Sequence, residues 1–179
     1  MQLLLAVTFA AVIAFEIVRR QPILIGQLAK RLFSPILRSS ELGDNAKLTG
    51  AFYMLAGALF TSLTFPKEIA VTALAVLMIS DSAAALIGKC WGRHSIVGKS
   101  IEGSAAFLFS AILITGFIAI IGSYPTIPFL ISGCLACVSA TLCELYAPRL
   151  KLDDNLLIPL AFATMQMITL SLLPSRAIS

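Results

Sequence analysis

Three acids interrupt segments that are otherwise apolar. Asp81 lies in AVLMISDSAAALIGK, Glu144 in ISGCLACVSATLCELY, and Glu102 at the head of the apolar run that follows GKSIEGS. A carboxylate near mid-membrane costs about 2.5–3.5 kcal/mol on insertion scales, so one that is kept should face a bundle interior or a wet cavity. Between Asp81 and the run after Glu102 stands GKCWGRHSIVGKSIEGS, residues 88–104. Its glycines Gly88, Gly92 and Gly98 let the backbone bend and present N–H groups to an anion. Lys89, Arg93 and Lys99 bring positive charge, and a helix starting near Ser100 and running through Gly103 offers unpaired N–H groups as well. Asp81, Glu102, Glu144 and the pair Asp153 and Asp154 are oxygen donors suited to Mg²⁺, which takes one or two carboxylates plus substrate phosphates and water. Placement and charge neutralisation are what phosphoryl transfer asks of a protein. Five residues, not four, separate Gly92 from Gly98, and no strand precedes them, so this is not the Walker phosphate loop.

Each feature also has a structural reading. Asp81 can pair with a base for packing alone, Glu102 can complement a helix dipole, and Ser100 can serve as a plain N-cap. Spacing argues for more. Asp81, Ala84, Ala85 and Gly88 fall on one helical face, and Ser132, Ala136, Ala140 and Glu144 repeat every four residues on another. Both stripes are small and end near an acid, so a second helix or a ligand can come close to the backbone.

The elements that position these residues are membrane helices. Of 179 residues, 59% are apolar and 12% charged, about half the ~25% charge of a soluble domain. Six stretches approach the ~17–25 residues needed to cross the hydrocarbon core, over about 1–18, 48–65, 68–88, 104–122, 127–146 and 156–174. The fold class expected is therefore an all-α integral membrane protein, a polytopic bundle of about six transmembrane helices, with 1–179 as a single membrane domain. The first stretch lacks a basic region before it and reads as a retained span rather than a cleaved signal. With the N-terminus outside, eleven of the thirteen basic residues fall on the cytoplasmic side and only Lys67 and Arg176 do not, as the positive-inside rule requires. Residues 19–47, whose RRQPILIGQLAKRLFSPILR is amphipathic, then form a cytoplasmic interfacial segment, and 89–103 a cytoplasmic nucleotide-binding loop.

Cys90, Cys134, Cys137 and Cys143 do not form a disulfide framework. Three lie in one apolar segment, where cysteine packs as a small hydrophobe, and the C-x-x-C of Cys134 and Cys137 lacks the polar partners of a zinc or redox site. The net charge of +4 follows from topology; no basic stripe interleaved with aromatics points to nucleic acid.

SDSAAALIGKCWGRHSIVGKSIEGS resembles the signature of the CTP-dependent lipid kinases, the family of dolichol kinase, phytol kinase and the CTP-dependent diacylglycerol kinase. LCELYAPRLKLDDNLLIPL resembles that family's second acidic segment, and the likeness spans about residues 40–165. It implies transfer of the γ-phosphoryl group of CTP to the hydroxyl of a membrane lipid, with diacylglycerol, a polyprenol and phytol all open as acceptors. By matching positions it marks Asp81, Gly88, Lys89, Gly92, Lys99, Ser100, Glu102, Gly103, Glu144, Asp154 and Asn155. Lys89, Arg93 and Lys99 would hold triphosphate against the Ser100–Gly103 helix start, with Gly98 in the loop. Asp81, Glu102 and Asp154 would hold Mg²⁺, Asp153 would stand beside them, and one of Asp81, Glu102 and Glu144 would take the hydroxyl's proton. Family members often carry an N-terminal Arg-Lys and a His that are not found here.

Two other readings remain. Phosphatidate cytidylyltransferases share the Asp, the glycine loop and the K-[ST]-x-E-G stretch, but end in a second signature that nothing after residue 150 matches. A small transporter or membrane scaffold would use Asp81 and Glu144 as ion-relay residues, although no internal repeat supports it.

Overall fold

The structure, a computed structural model, describes residues 2–20, 48–122, 124, 126–150 and 152–173. Residues 21–47, most of the expected interfacial segment, lie outside them. Six helices appear among the described residues: α1 (Gln2–Arg20), α2 (Gly50–Thr64), α3 (Lys67–Trp91), α4 (Ile101–Ile121), α5 (Thr126–Leu150) and α6 (Asp154–Leu172). Five are long and apolar enough to cross a membrane, and α2, at 15 residues, is shorter. The chain is an all-α polytopic membrane protein, as its apolar stretches require. Packing divides it into two compact units, Met1–Leu59 and Phe60–Ser179.

In the first unit an acid is neutralised beside the end of its own helix. Glu16 is buried and bonds Arg19 at 2.7 Å, with Arg20 at 3.6 Å. Its other oxygen accepts the Thr49 N–H at 2.8 Å, which fixes the residue that leads into α2. Phe9 meets Phe52 with ring centroids 5.2 Å apart.

In the second unit α3, α4, α5 and α6 pack in a ring, each helix against the next and α6 back against α3. The core is made largely of small residues: Ala73 and Ala84 on α3, Ala111 on α4, Ala136 and Ala140 on α5 and Ala163 on α6, around Phe107 and Phe162. Lipid tails are as apolar as leucine, so membrane helices associate through close van der Waals contact, which small side chains permit. The stripe Ser132, Ala136, Ala140, Glu144 is buried along its length. The α3 stripe is rotated from expectation. Its buried ladder is Val76, Ser80 and Ala84, while Asp81 is half-buried and Ala85 exposed. The cause is the approach of α4: a Cβ added at Gly103 would stand 2.9 Å from the Ala84 carbonyl oxygen and 3.3 Å from the Gly88 Cα. Contact along 80-84-88 leaves Asp81 at its edge.

Helix ends also shift. α3 runs to Trp91 rather than 88, closing with the Gly92 N–H on the Gly88 carbonyl at 3.1 Å, and α4 begins at Ile101 rather than 104. The expected loop 89–103 therefore contracts to 92–100, and within it lies a two-stranded antiparallel hairpin, β1 (Ser95–Ile96) and β2 (Lys99–Ser100). Val97 and Gly98 between them have φ of 57° and 84°, the positive pair a tight primed turn demands. Glycine takes this freely. For a β-branched valine it is strained.

Gly103→Ala should lower stability by about 1–3 kcal/mol through overpacking against Ala84. Gly116→Ala, with no atom within 4 Å of the added carbon, should be neutral or stabilising by about 0.5–1 kcal/mol; thermal unfolding in one detergent compares them. Gln166 is fully buried on α6 with no hydrogen-bond partner for either side-chain atom among the described residues. Gln166→Leu should raise the melting temperature, since it removes two unsatisfied polar atoms worth about 1–3 kcal/mol each.

Candidate functional site

Glu144 reaches the end of α5 with 3% of its surface exposed. A buried carboxylate must be paired, and here it is paired twice. Lys99 Nζ lies 2.8 Å from Oε1, and Ser104 Oγ donates to Oε2 at 2.9 Å. The same ammonium reaches Asp154 Oδ2 at 3.0 Å. Four elements thus meet in one cluster: β2 supplies Lys99, α5 Glu144 and α6 Asp154 to pair with it, and α4 Ser104 to hold Glu144. Burial by itself would lower the Lys99 pKa, but the hydrogen bond it donates to Glu144 and the charges of Asp154 and Glu144 outweigh it and hold it above the ordinary 10.5.

The hairpin is tied down from its other side. Glu102 Oε1 lies 2.8 Å from His94 Nδ1, Glu102 Oε2 accepts the His94 N–H at 3.4 Å, and the Ile101 N–H donates to the His94 carbonyl at 2.9 Å. Ser100 caps α4 by accepting the Gly103 N–H at 3.0 Å. Two donors of the expected phosphate cradle are thereby used within the chain. The glycines also divide their labour. Gly88 and Gly103 give the room Ser100 needs, since an added Cβ would stand 2.8 and 2.9 Å from its Oγ, and at Gly92 it would lie 2.8 Å from the Ser100 Cβ. Gly98 alone serves the turn.

Lys89 and Arg93 are exposed and enter none of the ion pairs found among the described residues. Asp153 caps α6, accepting from the Asn155 N–H at 3.1 Å and the Asn155 side-chain amide at 2.8 Å. Asp81, Glu102 and Asp154 do not form a ready three-ligand metal group, nor does any other set of acids, His or Cys among the described residues.

Sequence reasoning did not single out Ser104 or His94 as partners of the acids. Ser104 had a signal: it is the polar member of the buried α4 face Gly103, Ser104, Phe107, Ala111. A second signal is a pair of in-helix prolines, Pro148 and Pro159, each four residues after Glu144 or Asn155. Proline has no N–H, so each removes the helical donor to a site residue's carbonyl and leaves an acceptor at this end of the bundle.

The fold and these residues define a class, an all-α polytopic membrane protein with a charged cluster closed over the end of a four-helix ring. The chain is 34% identical over 160 residues to an uncharacterised protein of Rickettsia prowazekii, covering 89% of this chain and 78% of that one, and belongs to one family with it. It is 29% identical over 153 residues to CTP-dependent diacylglycerol kinase 1 of Schizosaccharomyces pombe (76% of this chain, 66% of that protein). It is 34% identical over 148 residues to phytol kinase of Synechocystis (78% and 61%). Distant homologues thus carry lipid-kinase names, and the chain spans about two thirds or less of the length of these two. No protein-family model matches the chain, and no solved structure matches it.

Lys99→Met should destabilise the protein by about 3 kcal/mol, because it leaves a buried carboxylate unpaired, and adding Glu144→Gln should restore part of the loss. A group whose pKa is raised on folding contributes fully below its unfolded value and loses the contribution as pH rises through the folded one. The wild-type advantage should accordingly hold from neutral pH to about 10.5 and shrink above it, as read by thermal unfolding across pH.

Proposed function

We propose that this chain transfers the γ-phosphoryl group of CTP to the hydroxyl of a membrane lipid. The observation that carries the reading is the Lys99 ammonium held between Glu144 and Asp154, at the end of the unit where Lys89 and Arg93 stay exposed. The lipid-kinase names of distant homologues support it. Lys89 and Arg93 would take the charge of the outer phosphates. Lys99 would exchange Asp154, a quarter exposed, for a phosphate oxygen while keeping Glu144, which is buried and also held by Ser104.

Asp81, Glu102 and Asp154 offer the hard oxygen donors that Mg²⁺ prefers, and with no preformed three-ligand group the ion would rest on one or two of them plus the nucleotide. When bound it supplies neutralisation of the developing phosphate charge. One of Asp81, Glu102 and Glu144 would accept the hydroxyl's proton; Glu102, beside the exposed His94, is the more open to solvent, while Glu144 is buried with Lys99 and Ser104. With the N-terminus outside, this end of the unit would face the cytoplasm.

The test uses purified protein in mixed micelles with Mg²⁺, a panel of lipid alcohols and phosphatidate, and CTP labelled at the γ- or the α-phosphate. Label should enter lipid from the γ position only. Label from the α position would mean a cytidylyltransferase, and none from either, with active control enzymes alongside, would turn the reading toward a transporter or scaffold. Nucleotide should also quench Trp91, at the end of α3 and exposed.

A further inference from the structure

A largely apolar groove of about 460 Å³ runs along α6 in the second unit, with Ser139 of α5 on its other wall. Its size lies within the ~300–1,000 Å³ usual for small-molecule sites. Leu152, Leu156 and Leu157 line one end, Ala161 the middle, and Met165 and Ile168 the other end. The first three residues surround Asp153, Asp154 and Asn155 in sequence, so the groove starts at the helix end whose Asp154 is bound by Lys99. From Leu156 to Ile168 it follows α6 for about 18 Å at ~1.5 Å per residue. That is close to one leaflet, half of a hydrocarbon core ~30 Å thick.

Two features mark this as more than an ordinary lipid-facing surface. It is a concavity, formed where Ser139 of α5 and Ala161 of α6 are small between flanking leucines. It is also polarised: it leads away from the α6 start, where Asp154 meets Lys99, along walls in which Ser139 and Thr164 are the only polar side chains. An occupant that fits both is an amphiphile with its head at the cluster and one chain lying against α6.

We infer that this groove holds a hydrocarbon tail of the acceptor lipid, so that α6 both anchors the tail and, through Asp154, borders the reacting head; the inference rests on the lipid-kinase reading for the identity of the occupant. Tail contact along a fixed groove sets how deep the head sits, and so brings the hydroxyl to the charged cluster rather than to bulk headgroup level. Chain length and stiffness then become determinants of the acceptor.

The test uses the full chain in lipid nanodiscs with a long-chain alcohol carrying a photoreactive diazirine midway along its tail, and crosslinks are mapped by peptide mass spectrometry. Labelling should concentrate on the α6 peptide around Leu160, Ala161 and Met165 and be competed by unlabelled long-chain alcohol. Even, uncompeted labelling of the exposed α4 residues Phe109, Phe117 and Ile120 would overturn the inference. Ala161→Phe, which fills the groove, should cut the α6 label and raise KM for a long-chain alcohol about tenfold, whereas Ile120→Phe should change neither. Competed labelling of α6 without any phosphoryl transfer would defeat the kinase reading and leave the groove. Transfer with unchanged KM in Ala161→Phe would defeat the groove and leave the kinase.

Discussion

A carboxylate withdrawn from water at the end of an apolar bundle needs a cation within bonding distance, and for Glu144 that cation is Lys99. The pair recruits Asp154 and Ser104, and these contacts join a hairpin and three helices of the second unit. Replacing such a buried ionic cluster by apolar groups is often neutral or stabilising. Its persistence here therefore speaks more for placement than for stability: it holds the hairpin, with its nearby cations, over the end of the ring.

The hairpin is held by two kinds of force. Charge anchors it through Lys99 and through Glu102 with His94, and close packing anchors it through Ser100, which sits among Gly88, Gly92 and Gly103. The strained φ at Val97 persists because both anchors fix the strands on either side. Strain of this kind, of order 1–3 kcal/mol, survives only where the surroundings over-determine the backbone.

A division of roles among similar residues follows. Of the three cations in residues 88–104, Lys99 is bonded within the bundle, while Lys89 and Arg93 stay open to solvent. Of the acids, Glu144 and Asp154 share the ammonium, Glu102 shares His94, and Asp153 caps a helix. Charge of both signs gathered in one loop region is thus largely self-neutralised, leaving two exposed cations beside it, an arrangement suited to a polyanionic ligand.

The sequence by itself determined the membrane helices, because apolar length is a local property: each of the six expected stretches appears as a helix, within a few residues at most ends. It also determined the small buried face of α5 and the cap at Ser100, which depend only on neighbours three or four residues away, whereas the capping role of Asp153 came from the structure. It did not determine which partner each charge takes. Lys99 and Glu144 are 45 positions apart, and only the packing of α5 beside α4 makes them meet. Nor did it determine that Gly88, Gly92 and Gly103 serve close approach more than backbone bending, since the crowding atoms belong to Ser100, to Ala84 and to one another's segments. Periodicity gives a helix its apolar face, but the rotation that set Ser80 inward and Asp81 at the edge was decided by where α4 could come closest.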